Sequence, residues 1–369
     1  MEQINTKLLQ IISITLIGFI ASCNKPNFVL TRQLVISEDS SLITFPLLFT
    51  VINDSSFVIN NDMTCINKYS LSDGEQINSF FIKDTSKIKL IYNESLKYLP
   101  KQNYKILYSD SIAKSKYHSK LYEIVNYYYE NSNYYLFSTF LLPTIENDSL
   151  ISIKKFIVLI NTDENFNIKK VKTFTNLKLT TSNRTPSFFN GFIKYKNNLY
   201  SKSSIFLNNN SIDSLYPAIC KFKYNFNADT ISYNPTYIND VYYPKNSFVS
   251  NLSNNIISGY GSFNIFNDSL YVSVSNIIFN VDSKKIIYKS NEDLILDFYI
   301  NNNKELIFVS NNIDSNQTFI NKVSSEGDIT TMKYTSRGKK VFQDCIYNNK
   351  VYLLTKDKEH YYVEEYSID

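Results

Sequence analysis

The residue types that most often carry out catalysis are scarce and scattered in this chain. Its only two histidines are His118 and His360, and neither occurs in a metal-ligand spacing such as HExxH. The seven glycines form no GxSxG sequence and no Gly-rich phosphate loop. We therefore predict no metal site and no cofactor. The protein is predicted to bind a ligand rather than to catalyse a reaction. His118 ends the longest polar connection and is the one candidate base.

Six residues are candidates for ligand contact. Arginine is represented by three residues in the whole chain, and two of them lie in polar connections, within "SNRTPSFF" and "TSRGKK". A guanidinium group suits a carboxylate or a phosphate, although bracing the loop is the alternative role. Three tyrosines in "PTYINDVYYPKN" would stack on a sugar or a peptide, or else pack on the body of the protein. With the histidine above, the candidates are Arg184, Arg337, Tyr237, Tyr242, Tyr243 and His118.

Carboxylates offer a second kind of chemistry. Asp240, Asp297 and Asp344 follow or interrupt apolar segments, and two converging carboxylates would make an acid/base pair for glycan cleavage. The sequence gives no reason to select two of them. A glycan hydrolase or lyase is therefore the alternative function.

The N-terminal segment indicates export and anchoring. The run from Leu8 to Ala21 is mostly apolar but about 14 residues long, which is shorter than the roughly 20 that span a membrane. It ends in Ile20-Ala21-Ser22-Cys23, which resembles the lipobox of bacterial lipoproteins. The resemblance implies cleavage before Cys23 and lipid attachment to its thiol, with a signal peptide at 1–22 and an anchor at 23–27. The alternatives are an ordinary signal peptide or a short buried helix.

Charge and cysteine content exclude other classes. The net charge is +4 and the lysines are scattered, so no nucleic acid partner is predicted. Cys65, Cys220 and Cys345 form no CxxC spacing, which argues against both a disulfide framework and a zinc site. Because each lies in an apolar segment, we expect small core side chains.

A repeated hairpin pattern sets the fold class. In each copy an apolar residue ends one segment, a turn of Asn, Asp or Ser follows, and an aromatic or aliphatic segment comes next. The copies are "INDSSFVIN", "YENSNYYLF", "YKNNLYSKS", "IFNDSLYVS", "INNNKELIFV" and "IYNNKVYLL", which begin at Ile52, Tyr129, Tyr195, Ile265, Ile300 and Ile346. A second hairpin follows each of the first five copies, so each unit has four antiparallel strands. The fold expected is an all-β, six-bladed β-propeller of four-stranded antiparallel blades.

The last unit supplies three strands only, and we expect Phe28–Ser37 to provide the fourth, so that an N-terminal strand closes the ring in the last blade. Residues 28–369 would then form a single propeller domain. Seven blades are the alternative count, with Lys87–Ser111 as the extra unit. An open β-sandwich or barrel is the alternative fold.

A lipobox followed by these repeats resembles the six-bladed β-propeller lipoproteins of Bacteroidota, many of which have no known function. Surface lipoproteins of that group commonly carry acidic residues after the cysteine, and "CNKPNF" carries none. The resemblance therefore implies the bacterial cell envelope, with a periplasm-facing position at the outer membrane favoured over the cell surface.

Loop lengths predict which side of the ring binds. With strands labelled A to D from the axis outward, the A–B and C–D turns are short, and the long connections are the B–C and D–A loops at the opposite side. Four segments form them: Asp84–His118, Leu142–Ser152, Asn208–Pro217 and Asn234–Ile257. The predicted function is a non-catalytic binding or scaffolding propeller, held to the membrane by lipid on Cys23, with an unidentified protein, peptide or glycan as ligand.

Overall fold

The computed structural model describes most of the chain that follows the N-terminal segment. The described residues are 28–36, 46–61, 65–82, 122–146, 149–174, 176–178, 190–206, 215–225, 230–237, 262–291, 293–312, 317–335 and 338–368, with residues 87, 90, 94, 105–106 and 315. Within this part of the chain, no helix is long and apolar enough to cross a membrane.

The described strands form six sheets, which we number in chain order. Sheet 1 has β2 (Pro46–Asn53), β3 (Ser56–Asn61), β4 (Cys65–Ser70) and β5 (Gln76–Phe81). Sheet 2 has β6 (Lys105–Ile106), β7 (Tyr122–Glu130), β8 (Asn133–Glu146), β9 (Ser149–Asp163) and β10 (Ile168–Phe174). Sheet 3 has β11 (Asn176–Lys178), β12 (Asn190–Tyr195), β13 (Asn198–Phe206), β14 (Leu215–Asn225) and β15 (Thr230–Tyr237).

The other three sheets have four strands each. Sheet 4 has β16 (Phe263–Phe266), β17 (Ser269–Val274), β18 (Ile277–Asn280) and β19 (Lys285–Lys289). Sheet 5 has β20 (Asp293–Ile300), β21 (Leu306–Asn312), β22 (Gln317–Val323) and β23 (Ile329–Lys333). Sheet 6 has β24 (Lys340–Tyr347), β25 (Lys350–Lys356), β26 (Tyr361–Ile368) and β1 (Phe28–Val35). Every pairing is antiparallel except that of β11 with β15.

Local chemistry explains the hairpins. In four of the six turns between the first two strands of a unit, both central residues have positive φ, which Asn and Asp tolerate better than most residues. The pairs are Asn131 and Ser132, Lys196 and Asn197, Asn267 and Asp268, and Asn348 and Asn349. All six predicted first hairpins and all five predicted second hairpins are present. The repeat pattern in the sequence is therefore confirmed as the four-stranded unit.

Apolar clusters join neighbouring sheets around a ring. Sheets 1 and 2 share a cluster that contains Phe80 and Tyr134, and sheets 1 and 6 share one that contains Phe57 and Tyr352. Further clusters link sheet 5 to sheets 4 and 6, and Tyr200 packs from sheet 3 on the core of sheet 4. Strand β7 lies beside β12, which joins sheets 2 and 3. The fold is all-β, with four-stranded antiparallel blades in a propeller arrangement.

The two ends of the described chain meet in sheet 6. Strand β1 pairs antiparallel with β26, with Phe28 opposite Ile368 and Val35 opposite Tyr362. The N–H of Ile36 extends the pairing by donating to the carbonyl oxygen of Tyr361 at 3.0 Å. The prediction that an N-terminal strand completes the last sheet is confirmed.

The turn that precedes β5 supports β1 from the next sheet. Gly74 has φ +80°, and a Cβ atom at this position would lie 2.3 Å from the carbonyl oxygen of Val35. Arg32 donates from Nη1 to the carbonyl oxygen of Leu71 in the same turn at 2.6 Å. Only glycine therefore allows the turn to approach the backbone of β1 so closely.

The predicted loop boundaries and the seventh unit need correction. Most of Leu142–Ser152 is strand, because β8 continues to Glu146 and β9 starts at Ser149. Pro217 lies in β14, so that connection is shorter than expected, and residues 234–237 lie in β15, so the other connection starts later than expected. The described part of Lys87–Ser111 forms no further sheet, since its strand β6 pairs with β8 in sheet 2. Sheet pairing in the tertiary structure continues these strands through residues that we took for loops.

Candidate functional site

The strands determine the side of the ring to which each connection belongs. We call the side with the hairpin turns between the first and second strands the turn side, and the opposite side the loop side. The connections 207–214 and 238–261 join strand ends on the loop side, as predicted. The first connects the second and third strands of sheet 3, and the second connects β15 of sheet 3 to β16, the innermost strand of sheet 4.

Most predicted site residues lie outside the described residues. Tyr237 is the last residue of β15, where it pairs with Ala218 at the loop-side end of the strand; its backbone alone is described. Lys339, which lies two residues after the predicted Arg337, is described in full. Those outside are Cys23, His118, Arg184, Tyr242, Tyr243 and Arg337.

Polar groups at the inner edge of the ring bind neighbouring sheets together. The innermost strand of a sheet has backbone N–H groups with no partner in its own sheet, so another group must accept their hydrogen bonds. Asp297 Oδ2 of β20 accepts from the N–H of Ile346 in β24 at 2.7 Å. Ser262 Oγ accepts from the N–H of Phe298 at 3.2 Å, between sheets 4 and 5. These side chains therefore hydrogen-bond adjacent sheets of the ring to each other.

Between sheets 6 and 1, a cysteine side chain faces the backbone N–H group of the neighbouring innermost strand. The N–H of Val51 in β2 lies 3.4 Å from Cys345 Sγ in β24, and Cys345 is buried. Burial raises the pKa of this thiol, and the negative charges of Asp297 and Asp344 raise it further. The thiol therefore stays protonated at neutral pH and is not a nucleophile. The expectation of a small core side chain is confirmed for Cys345, whereas Cys65 is half-buried.

Asp297 and Asp344 lie on the innermost strands of adjacent sheets, close enough to act on the same thiol. The sequence could not bring them together, because 46 residues separate them and only the packing of sheet 5 on sheet 6 makes them neighbours. Both oxygens of Asp297 accept backbone N–H groups, the second from Phe298 at 2.8 Å. A carboxylate used in this way is suited to fastening strands rather than to proton transfer. Asp240 lies outside the described residues.

A group of lysines and aromatic rings occupies the loop-side end of sheet 6. We call Lys339, Lys340, Lys356, Tyr361 and Tyr362 the lysine–tyrosine cluster. Lys339 Nζ lies 3.8 Å from the ring centroid of Tyr362, and Lys356 Nζ lies 4.4 Å from that of Tyr361. Both distances fit cation–π attraction. The sequence analysis missed this cluster, although the pairs "KK" and "YY" were visible signals for it.

The turn that carries the cluster is held by one carboxylate. Asp357 accepts hydrogen bonds from the hydroxyl of Tyr362 at 2.5 Å and from the N–H groups of His360 and Glu359 at 2.7 and 2.8 Å. The bond from Tyr362, followed by those from the two N–H groups, lowers the pKa of Asp357 to about 2. The turn between β25 and β26 is therefore preorganised by its own side chain.

A second carboxylate fixes the segment that leads into β24. Glu364 accepts from Lys339 Nζ at 2.7 Å and from the hydroxyl groups of Tyr334 and Tyr366 at 2.9 and 3.2 Å. Lys339 and Glu364 are both largely buried. Residues on either side of the predicted Arg337 position are thus bound to the same carboxylate of β26. In the described part of the chain, no group of three His, Cys, Asp or Glu side chains is placed to hold a metal ion.

No protein-family model matches the chain, and no curated protein matches it either. Among solved structures it is similar to catalytically inactive virginiamycin B lyase from Staphylococcus aureus with quinupristin, at 13% identity and a TM-score of 0.45 over 93% of this chain and 100% of that one. The WD40 domain of Neurospora crassa Pan2 matches at 7% identity and a TM-score of 0.44 over 92% and 95%. BamB from Moraxella catarrhalis matches at 7% identity and a TM-score of 0.39 over 92% and 100%. Similarity at this level carries no inference about ligand or activity.

Proposed function

We propose that this chain is a lipid-anchored protein of the bacterial cell envelope whose propeller binds or scaffolds another molecule without catalysis. The position of β1 is the observation that carries the proposal. This strand follows Cys23 by five residues and is the outermost strand of sheet 6. A lipid on Cys23 would therefore hold a closed, rigid ring at the membrane surface, which suits a fixed binding platform.

We also infer that the ring has six blades. Six sheets are present in the described part of the chain, and neighbouring sheets follow one another around the ring in chain order. Residues 28–369 would then be one domain, after a signal peptide at 1–22 and an anchor at 23–27. This count and this domain division agree with the resemblance to propeller lipoproteins of Bacteroidota that the sequence suggested.

The loop side is the proposed ligand face. The lysine–tyrosine cluster lies there, and Arg337 is two residues before Lys339 in the chain. Ammonium and guanidinium groups beside aromatic rings suit a ligand that carries a carboxylate or a phosphate. Because Asp357 and Glu364 are already used for hydrogen bonds within sheet 6, they do not favour a catalytic role.

Membrane attachment is tested by replacing the predicted lipidated residue. We expect the Cys23→Ala variant to appear in the soluble fraction of cells, whereas a Cys65→Ala control stays with the membranes. Retention of the Cys23→Ala variant in membranes would refute the anchor. The absence of acidic residues after Cys23 also leads us to propose a periplasm-facing position. Protection from protease in intact cells would support that position, and digestion would refute it.

The ligand face is tested by photo-crosslinking in cells. A photoreactive amino acid at Lys358, in the loop-side turn of sheet 6, should form covalent adducts. The same amino acid at Ser55, an exposed residue in a turn-side hairpin of sheet 1, should form few. Adducts that form mainly at Ser55 would contradict the assignment of the loop side as the ligand face.

A further inference from the structure

The outermost strand β1 has three exposed large aliphatic side chains, compared with at most two exposed large hydrophobic side chains on β5, β19 or β23. Val29, Leu30 and Val35 are each more than two-fifths exposed, so three aliphatic side chains of one strand face solvent. The strand is the last in sheet 6, and among the described strands none pairs with its outer edge in that sheet. Three exposed aliphatic residues on one open strand edge form a candidate contact surface.

The length of chain before β1 limits how far this surface can lie from the membrane. Five residue steps separate Cys23 from Phe28, and a fully extended chain advances at most about 3.6 Å per step. The start of β1 therefore lies within about 18 Å of a lipid attached to Cys23. Phe28 is itself partly buried against the apolar cluster between sheets 5 and 6, so the tether ends at the rim of the ring.

The charge of this segment also suits a lipid surface. From Cys23 to Ile36 the sequence is "CNKPNFVLTRQLVI", which has two basic residues and no acidic one. An anionic bilayer would therefore attract the basic tether that precedes β1.

We propose that the rim of the propeller formed by β1 rests against the lipid bilayer, with Val29, Leu30 and Val35 at the headgroup level. The inference depends on the proposed lipidation of Cys23 and adds to it an orientation of the ring. In this orientation the ring stands on its edge, so the loop side and the turn side both stay accessible along the membrane. Insertion of a few aliphatic side chains would add to the hold of the lipid anchor.

The chain contains no tryptophan, so a single introduced tryptophan is a unique fluorescent probe. We would place it at Leu30, which is 47% exposed, and in a matched variant at Ile287, which is 46% exposed. Ile287 lies in β19, the outermost strand of sheet 4, two sheets away around the ring. Both variants keep Cys23 and are purified in lipidated form.

The measurement is quenching of tryptophan fluorescence in phosphatidylcholine vesicles that contain lipids with brominated acyl chains. We expect Leu30→Trp to be quenched at least about twofold more than Ile287→Trp, because short-range quenching requires the probe to reach the headgroup level. Equal quenching of both variants, or stronger quenching of Ile287→Trp, would overturn the orientation. A blue shift of Leu30→Trp without quenching would also overturn it, since another protein chain would then cover β1.

Flotation of the same samples separates this proposal from the proposed anchor. Variants that float with the vesicles establish the anchor, and the quenching ratio then tests the orientation alone. Failure of the lipidated Leu30→Trp protein to float would refute both. Circular dichroism checks that the exposed substitutions leave the fold intact, and Leu30→Trp with Cys23→Ala is the unanchored control.

Discussion

Sheets 5 and 6 are neighbours with four strands each, but their outermost strands are attached in different ways. In sheet 5, β23 follows β22 through the turn at residues 324–328. In sheet 6, β1 comes from the other end of the chain, with Thr31 hydrogen-bonded to a residue 334 positions away. A short turn keeps β23 near its partner even when the pairing breaks, whereas no local connection does this for β1.

Additional contacts compensate for the missing connection in sheet 6. Glu364 and Glu365 are adjacent in β26 and therefore point to opposite faces of the sheet. Glu364 binds Lys339 and two tyrosines on the side of sheet 5. Glu365 binds Lys350 and Thr31 of β1, each through Oε1. Where no short connection keeps a strand beside its partner, buried charged side chains and contacts with the neighbouring sheet hold it in place.

Deleting Phe28–Ser37 should lower the stability of the protein more than any other change considered for sheets 5 and 6. The deletion exposes the outer edge of β26 and removes the buried side chains of Leu34 and Ile36, which contribute about 4 kcal/mol by burial alone. We expect a large fall in the melting temperature followed by circular dichroism. A protein that lacks only residues 1–27 is the control and should melt like the full mature chain. An unchanged melting temperature after the larger deletion would show that β1 does not close the ring.

Removing the Glu364 carboxylate should have the next largest effect. The Glu364→Ala variant leaves Lys339 and two tyrosine hydroxyl groups without their acceptor in a largely buried position, which should cost about 3 kcal/mol. The matched change in sheet 5 is Glu305→Ala, whose carboxylate is more exposed than that of Glu364 and whose ion pair with Lys322 should be worth about 1 kcal/mol. Urea unfolding measures both. Equal losses would remove the distinction between the two sheets.

Two glycines occupy corresponding turns of sheets 1 and 5. Gly74 and Gly327 both have positive φ, so alanine strains the backbone at either position by about 1 kcal/mol. At Gly74 the new Cβ would also clash with the carbonyl oxygen of Val35, whereas at Gly327 no atom lies within 4 Å. We expect Gly74→Ala to destabilise the protein by at least about twice as much as Gly327→Ala. Thermal unfolding of the two variants side by side tests this, and a larger effect at Gly327 would contradict it.

The smallest expected effect is a change in the pH dependence of stability. Burial by itself raises the pKa of Glu365, but the hydrogen bonds from Lys350 and Thr31 and the charges of Lys350 and Arg32 outweigh it, so the pKa is lowered. A lowered pKa in the folded state adds stability above the pKa of the unfolded chain, and this stability is lost as the pH falls through the folded value.

The melting temperature should therefore fall as the pH drops below about 5, and it should fall less steeply in the Glu365→Gln variant. The exposed Glu326→Gln variant is the control and should follow the unmodified protein. A Glu365→Gln variant with the same pH profile as the unmodified protein would show that Glu365 does not contribute in this way.

The repeat pattern predicted the sheets well, because it depends on local chemistry. Alternating apolar residues and Asn- or Asp-containing turns specify a hairpin wherever they occur, as at Asn267 and Asp268. Strand ends were predicted less well. Sheet 2 continues β8 and β9 far past the length of the other strands, since these two strands pair with each other beyond the ends of β7 and β10. Side-chain pattern alone does not show where such pairing stops.

The candidate site could be predicted only in part. Arg337, Tyr237 and the other candidates were chosen from residue type and loop position, and all but the backbone of Tyr237 lie outside the described residues. The lysine–tyrosine cluster was missed because Lys339, Lys356 and Tyr362 come from three different segments. No spacing rule links such residues before the strands of sheet 6 bring them together.

The sequence by itself determined the four-stranded unit, the order of the units and the presence of a spare strand at the N-terminus, because hairpins depend on residues close together in the chain. Only the tertiary structure decided which groups meet across sheets: Asp297 with the backbone of β24, Cys345 with β2, and the turn at Gly74 with β1. These contacts depend on the packing of one sheet on the next. That packing is fixed by the shapes of buried side chains rather than by any local pattern.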